Sequence, residues 1–316
     1  MDQRTPSETE PEQPHKAFLS KEPAQTPWQN VYVTAQDGLK LYARDYAAAP
    51  GTDAPPVICL AGLSRNSRDF HELASRMAPR RRVISIDSRG RGRSEYASDW
   101  STYTPLQEMD DTFSIMAALG VHDAIIAGTS RGGIIAMMMA ATRPAAVRAV
   151  ILNDIGPEIN PQGLLRIHGY LGVTPKPDDW DDAVYLMQSI NRGFDSLTED
   201  EWLQWAKRTY IEKNGKPLGD YDKNLRKTFA SHDELTTSEM PTLWPQFKAL
   251  TNRPVLVIRG EHSDILEART VEKMKQVKPD LLAVTINDRG HVPFLDELEA
   301  LEAIAALLVQ TDAAHR

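Results

Sequence analysis

The sequence predicts an α/β fold: a mostly parallel, eight-stranded sheet with helices on both faces and a helical segment inserted late in the chain. Three observations carry this. Short β-branched or apolar runs alternate with helical runs up to residue 155 and again from residue 253. The alternation stops between residues 156 and 252, where Trp and Tyr are frequent and the spacing is helical. Finally, Gly128-Thr129-Ser130-Arg131-Gly132 lies between the β-like run Ala124-Ile125-Ile126-Ala127 and a long apolar helical run. Strands that alternate with helices join through right-handed crossovers, which makes a parallel sheet buried on both faces.

Taken in order, residues 1–27 are rich in Glu, Pro, Gln, Ser and Thr and nearly free of aliphatics, so a disordered or loosely docked leader is expected. Residues 28–155 and 253–316 make the core, and 156–252 a helical cap. Val31-Tyr32-Val33 and Leu39-Lys40-Leu41-Tyr42-Ala43 flank Gln36-Asp37-Gly38, a hairpin signal. Strands are expected at 56–60, 82–86, 123–127, 147–152, 254–258 and 282–286. Helices are expected at 67–77, 105–119, 133–141, 265–277 and 294–308. Within 105–119, Leu106, Met109, Phe113, Met116 and Leu119 recur at helical spacing. In the cap, Thr198-Glu199-Asp200-Glu201 is a capping box that opens a helix.

The bulk properties narrow the function. A net charge of −8 argues against nucleic acid or an anionic membrane as the main partner and leaves a small-molecule substrate. The run Arg89-Gly90-Arg91-Gly92-Arg93-Ser94 has glycines mis-spaced for a dinucleotide fingerprint and reads as a loop with local ion pairs. The single Cys59 lies in an apolar strand and cannot form an internal disulfide. No apolar run approaches the ~18 residues of a membrane span, and the N-terminus has no apolar signal-peptide core. A cytoplasmic monomer or homodimer is the resulting expectation. His, Cys and carboxylate spacings give no zinc site, and no metal or organic cofactor is implied.

A serine on a strand-turn-helix elbow is exposed above the sheet edge, and the N–H of the next residue, Arg131, can face a developing oxyanion. The hydroxyl needs a base, usually His oriented by a carboxylate. His291 follows the last strand in Asp288-Arg289-Gly290-His291-Val292-Pro293, at the sheet edge where α/β proteins gather their chemistry. Asp264, after the 254–258 strand, is the expected orienting acid. Asp154, at the end of the preceding strand, is the second candidate; it otherwise shapes the exit into the insert or lines the pocket. In the loop Ala61-Gly62-Leu63-Ser64-Arg65-Asn66 the N–H of Leu63 is the expected second oxyanion donor. Arg65, Arg68 and Arg131 belong to these loops, and they suggest a carboxylate on the substrate.

Together, the Gly128–Gly132 elbow, Ala61-Gly62-Leu63, the 87–94 loop, the 260–264 acid loop and Gly290-His291 resemble the α/β-hydrolase superfamily from about Trp28 to Leu308. The insert is similar to the cap of its bacterial esterases and carbon–carbon bond hydrolases. The chain departs at Ala61, where the family often has His, and at Arg131, a cation beside the nucleophile. The resemblance implies a serine hydrolase of a small carboxylic ester or lactone, with Ser130, Asp264 and His291 as the triad. Its alternatives are a carbon–carbon bond hydrolase of a ring-fission product and a non-catalytic receptor for a small ligand; a cofactor-independent oxygenase on this fold is a further one.

Overall fold

The computed structural model describes residues 18–19, 26–237 and 240–314. The first hairpin pairs β1 (Gln29–Thr34) with β2 (Lys40–Tyr46), and Gly38 takes φ +88° in its turn. β3 (Val57–Leu60) leads into a 3₁₀ turn, Ser67–Phe70, that runs on as α1 (His71–Met77). β4 (Val83–Asp87), α2 (Pro105–Ala118), β5 (Ala124–Thr129), α3 (Arg131–Thr142) and β6 (Val147–Asn153) follow. Thr104 caps α2 through Gln107 N–H, and Pro105 takes the first turn, where its missing N–H costs nothing.

The insert contains α4 (Pro161–Tyr170), α5 (Trp180–Ile190) and α6 (Glu199–Thr209), then β7 (Tyr210–Lys213) and β8 (Lys216–Gly219), then α7 (His232–Thr237) and α8 (Trp244–Lys248). The expected capping box is present: Thr198 Oγ1 accepts from Glu201 N–H, and Glu201 accepts from Thr198 N–H. An entirely helical insert is not what forms, because β7 and β8 pair as an antiparallel hairpin. Its turn is Asn214-Gly215, both with positive φ, a signal readable in the sequence. β9 (Val255–Gly260), α9 (Ala268–Val277), β10 (Leu282–Ile286) and α10 (Leu298–Ala313) complete the chain.

The sheet has eight strands in the order β1-β2-β4-β3-β5-β6-β9-β10. β2 is antiparallel to both neighbours; every pairing from β4 to β10 is parallel. Alternate residues of each central strand enter opposite cores. Ile58, Leu60 and Ile126 pack with α2 and α3, whereas Val57, Cys59 and Ile125 pack with α1 and α10. A strand buried on both faces therefore reads as continuously apolar.

Within the leader, Phe18 is buried in the second core and its carbonyl accepts from Arg76 Nη1 at 3.2 Å. Residue 18 is thus docked on the core, one of the two forms expected for the leader. The rest of the leader up to residue 25, apart from Leu19, lies outside the described residues.

Candidate active site

The parallel strands β3, β5, β6, β9 and β10 end along one edge, and each site residue sits just beyond such an end. Ser130 follows β5 directly, with φ 50° and ψ −114°, a conformation sparsely populated by side-chain-bearing residues. Its N–H donates to the Asn153 carbonyl at 2.9 Å, which ties the elbow to β6. The flanking glycines are required by contact. A Cβ on Gly132 would fall onto the Leu60 carbonyl, and one on Gly128 onto the Gly132 carbonyl. α3 begins at Arg131, so the Arg131 N–H, in the first turn, has no partner within the helix.

His291 Nε2 lies 2.9 Å from Ser130 Oγ, and His291 Nδ1 lies 2.7 Å from Asp154 Oδ2. The acid beside the imidazole is therefore Asp154, not the expected Asp264. Asp154 follows β6 with no intervening residue and has φ 54°. Its N–H donates to Ile258 O at 2.7 Å. The side chain is fully buried, accepting from Gly260 N–H at 2.8 Å and from Ser263 Oγ at 2.6 Å. With Nδ1–H directed at the carboxylate, Nε2 is left as the acceptor facing the Ser130 hydroxyl.

Asp264 is claimed by the insert. Arg166 of α4 binds it with both nitrogens, Nε at 2.5 Å and Nη2 at 2.8 Å. Burial would push the Asp264 carboxyl up, but Arg166 and, more weakly, His291 hold it below the ordinary range. It acts as a clasp between the insert and the acid loop. Asp154, held for pocket-lining if not for this role, lies behind His291 and does not line the cavity.

The loop after β3 reaches Ser130: a Cβ on Gly62 would stand 3.8 Å from the Ser130 Cβ. The Leu63 carbonyl accepts from Arg91 Nε at 2.7 Å. Arg91 Nη1 pairs with Glu108 Oε1 at 2.7 Å, and Glu108 Oε2 pairs with Arg131 Nε at 2.7 Å. One carboxylate thus links the loops that carry Leu63 and Arg131. Burial opposes the Glu108 charge, yet Arg131 and Arg91 overcome it and hold the carboxyl below its usual value. The Arg131 side chain also donates to Tyr103 O at 2.9 Å and does not line the cavity, so it is not placed to meet a ligand. Arg65 lines the cavity but is bound to Asp69 (Nε to Oδ2, 2.8 Å) and to Thr209. Arg68 pairs with Asp220 at 2.7 Å.

These residues enclose a cavity of about 120 Å³ between the sheet edge and the insert, lined by Ser130, His291 and Leu63 from the core and by Ile167, Tyr170, Met187 and Trp205 from the insert. A second cavity of about 90 Å³, toward Lys176 and Lys223, shares Ser64, Tyr170, Met187, Ile190 and Thr209 with it. Among the described residues no three His, Cys, Asp or Glu side chains converge to hold a metal ion, and no helix is long and apolar enough to cross a membrane.

Residues 55–298 match the family model of the α/β hydrolase fold. The chain belongs to the α/β hydrolase family. This hydrolase is 34% identical over 246 residues to the 3-hydroxybutyrate-oligomer hydrolase of Cupriavidus necator, covering 76% of this chain and 84% of that one. To the sn-1-specific diacylglycerol lipase of Mus musculus it is 32% identical over 262 residues, covering 80% and 81%. Among solved structures, an α/β hydrolase from Novosphingobium aromaticivorans superposes with a TM-score of 0.83 at 40% identity, covering 91% of this chain and all of that one. Sequence reasoning missed two further residues at the hydrolase's site, Ser263 behind Asp154 and Glu108 beneath the elbow. No local pattern marks either one, since both are defined by what they meet across the fold.

Proposed function

We propose that this hydrolase cleaves a carboxylic ester through an acyl-enzyme on Ser130. The observation that carries the reading is the continuous relay from Ser130 Oγ through His291 to Asp154, at 2.9 and 2.7 Å. Ser130 Oγ attacks the ester carbonyl as its proton passes to His291 Nε2, and Asp154 stabilises the imidazolium that forms. The N–H groups of Leu63 and Arg131 hold the oxyanion, each worth about 3 kcal/mol of barrier by comparison with measured donors. Collapse of the tetrahedral intermediate expels the alcohol, which takes the proton from Nε2. Water then attacks the acyl-enzyme with His291 as base, and its breakdown returns the proton to Ser130.

The insert serves as a cap whose apolar side chains hold the substrate over the nucleophile. The substrate class is a short aliphatic ester, extending to linear hydroxy-acid oligoesters. Two features support that class: the paired cavities, which share a wall and suit an elongated chain, and the family relatives, one named for a hydroxybutyrate oligomer and one for a diacylglycerol. Hydrolysis of 4-nitrophenyl butyrate by wild type and by Ser130→Ala tests the reading. Turnover is expected to fall by at least about 10³-fold in the variant; equal turnover in the two proteins would end the proposal.

A further inference from the structure

Two arginines, Arg65 and Arg208, are among the residues that line the catalytic cavity, and they differ in one respect. Arg65 is neutralised by Asp69. Arg208, from the last turn of α6, forms no ion pair among the described residues, and its Nε is buried without a hydrogen-bond partner. A buried guanidinium nitrogen with no acceptor is costly, and a carboxylate is its best-matched partner in shape and charge.

The side chain is also held in place. Its guanidinium lies over the Phe294 ring, 5.2 Å from the centroid, three residues beyond His291. Phe294 is fixed by Phe194 stacked at 5.6 Å and by Trp205 edge-on at 4.8 Å. The Arg208 backbone is fixed in turn, since its carbonyl accepts from Arg68 Nε at 3.0 Å. Arg208 and Phe294 form the wall shared with a larger polar cavity of about 530 Å³. That other cavity is also lined by the acids Glu72, Asp200, Glu201 and Asp296; burial pushes the Asp296 carboxyl up, against the pull of Arg208.

We propose that Arg208 binds a carboxylate of the substrate, so that the enzyme selects esters carrying a free acid group, such as a diacid monoester or a hydroxy-acid oligomer with its terminal carboxylate. This selection rests on the ester-hydrolase reading above. It also moves the acid-recognising role away from Arg65, Arg68 and Arg131, whose charges are already met within the protein.

Two measurements test it. In the first, kcat and KM are determined for mono-4-nitrophenyl glutarate and for its neutral counterpart 4-nitrophenyl valerate, with wild type, Arg208→Gln and Arg208→Lys. The ratio of kcat/KM, acidic over neutral, is expected to fall roughly 10- to 100-fold in Arg208→Gln, mainly through KM, and to recover in part in Arg208→Lys. An unchanged ratio, including an equal fall on both esters, overturns the proposal. In the second, glutarate binding to Ser130→Ala is measured by calorimetry, with and without Arg208→Gln. Binding at least about tenfold weaker in the double variant supports the proposal, and equal or undetectable binding in both overturns it. If wild type hydrolyses neither ester, the esterase reading fails while the calorimetry still decides the role of Arg208.

Discussion

Asp154 and Asp264 follow neighbouring strands, yet only Asp154 meets the imidazole of His291, at 2.7 Å, because Asp264 is gripped by Arg166 from the insert. Asp154→Asn keeps the shape of the side chain but removes the acceptor that fixes the Nδ1–H tautomer. Its kcat on an ester is expected to drop on the order of 10⁴-fold. Asp264→Asn is expected to change kcat by less than about tenfold, because it loosens the insert without touching the proton relay. Steady-state kinetics on both variants decides between the carboxylates; the reverse ranking would restore Asp264.

Ser263 has a narrower role. Its hydroxyl donates to the Asp154 oxygen that faces His291, at 2.6 Å, and accepts from Ile265 and Leu266 N–H. Removing the hydroxyl leaves Asp154 with one donor fewer and frees the acid loop. Ser263→Ala is expected to lower kcat about tenfold with little change in KM, in line with the loss of one hydrogen bond to a charged group. A variant with wild-type kcat would show that Gly260 N–H alone holds the carboxylate.

The mostly parallel sheet, the hairpin and the elbow were legible because each has a local cause. Asp37-Gly38 makes a turn, apolar runs make buried strands, and Gly128 and Gly132 sit where any Cβ would strike backbone. Ser130 and His291, expected from strand-end position, lie within hydrogen-bond reach of each other. The orienting acid was not legible. Both aspartates satisfy the same chain order, and the choice depends on Arg166, about a hundred residues upstream of Asp264. The insert hairpin had a local signal, Asn214-Gly215, overridden by the helical texture around it. Arg208 had none, since what sets it apart is a buried Nε with no hydrogen-bond partner among the described residues.

The backbone contact at the elbow gives a stability prediction. In Gly132→Ala the new methyl group would overlap the Leu60 carbonyl, so β3 and α3 must separate. A loss of about 1–3 kcal/mol is expected by urea unfolding, the usual range for overpacking, together with reduced kcat as the two oxyanion loops move apart. Wild-type stability in this variant would mean that the elbow relaxes more easily than its packing indicates.

Glu108 supplies the last test, because its carboxylate pairs with both the buried Arg91 and the half-buried Arg131. Glu108→Gln leaves two like charges near each other without a counter-ion, and a cost of about 3–5 kcal/mol is expected at pH 7. The sign of the pH dependence follows from the direction of the shift. The folded-state value lies below the ordinary 4.5, so the ionised form is favoured by folding and its contribution is fully present above pH 4.5. As pH falls through the lowered value, wild type gains the proton and loses that contribution. The gap between wild type and Glu108→Gln should therefore be constant from pH 8 to 6 and narrow below about pH 4.5. Urea titrations of both proteins across that range measure it, and a gap that widens in acid would mean that Arg91 and Arg131 do not hold this carboxylate ionised.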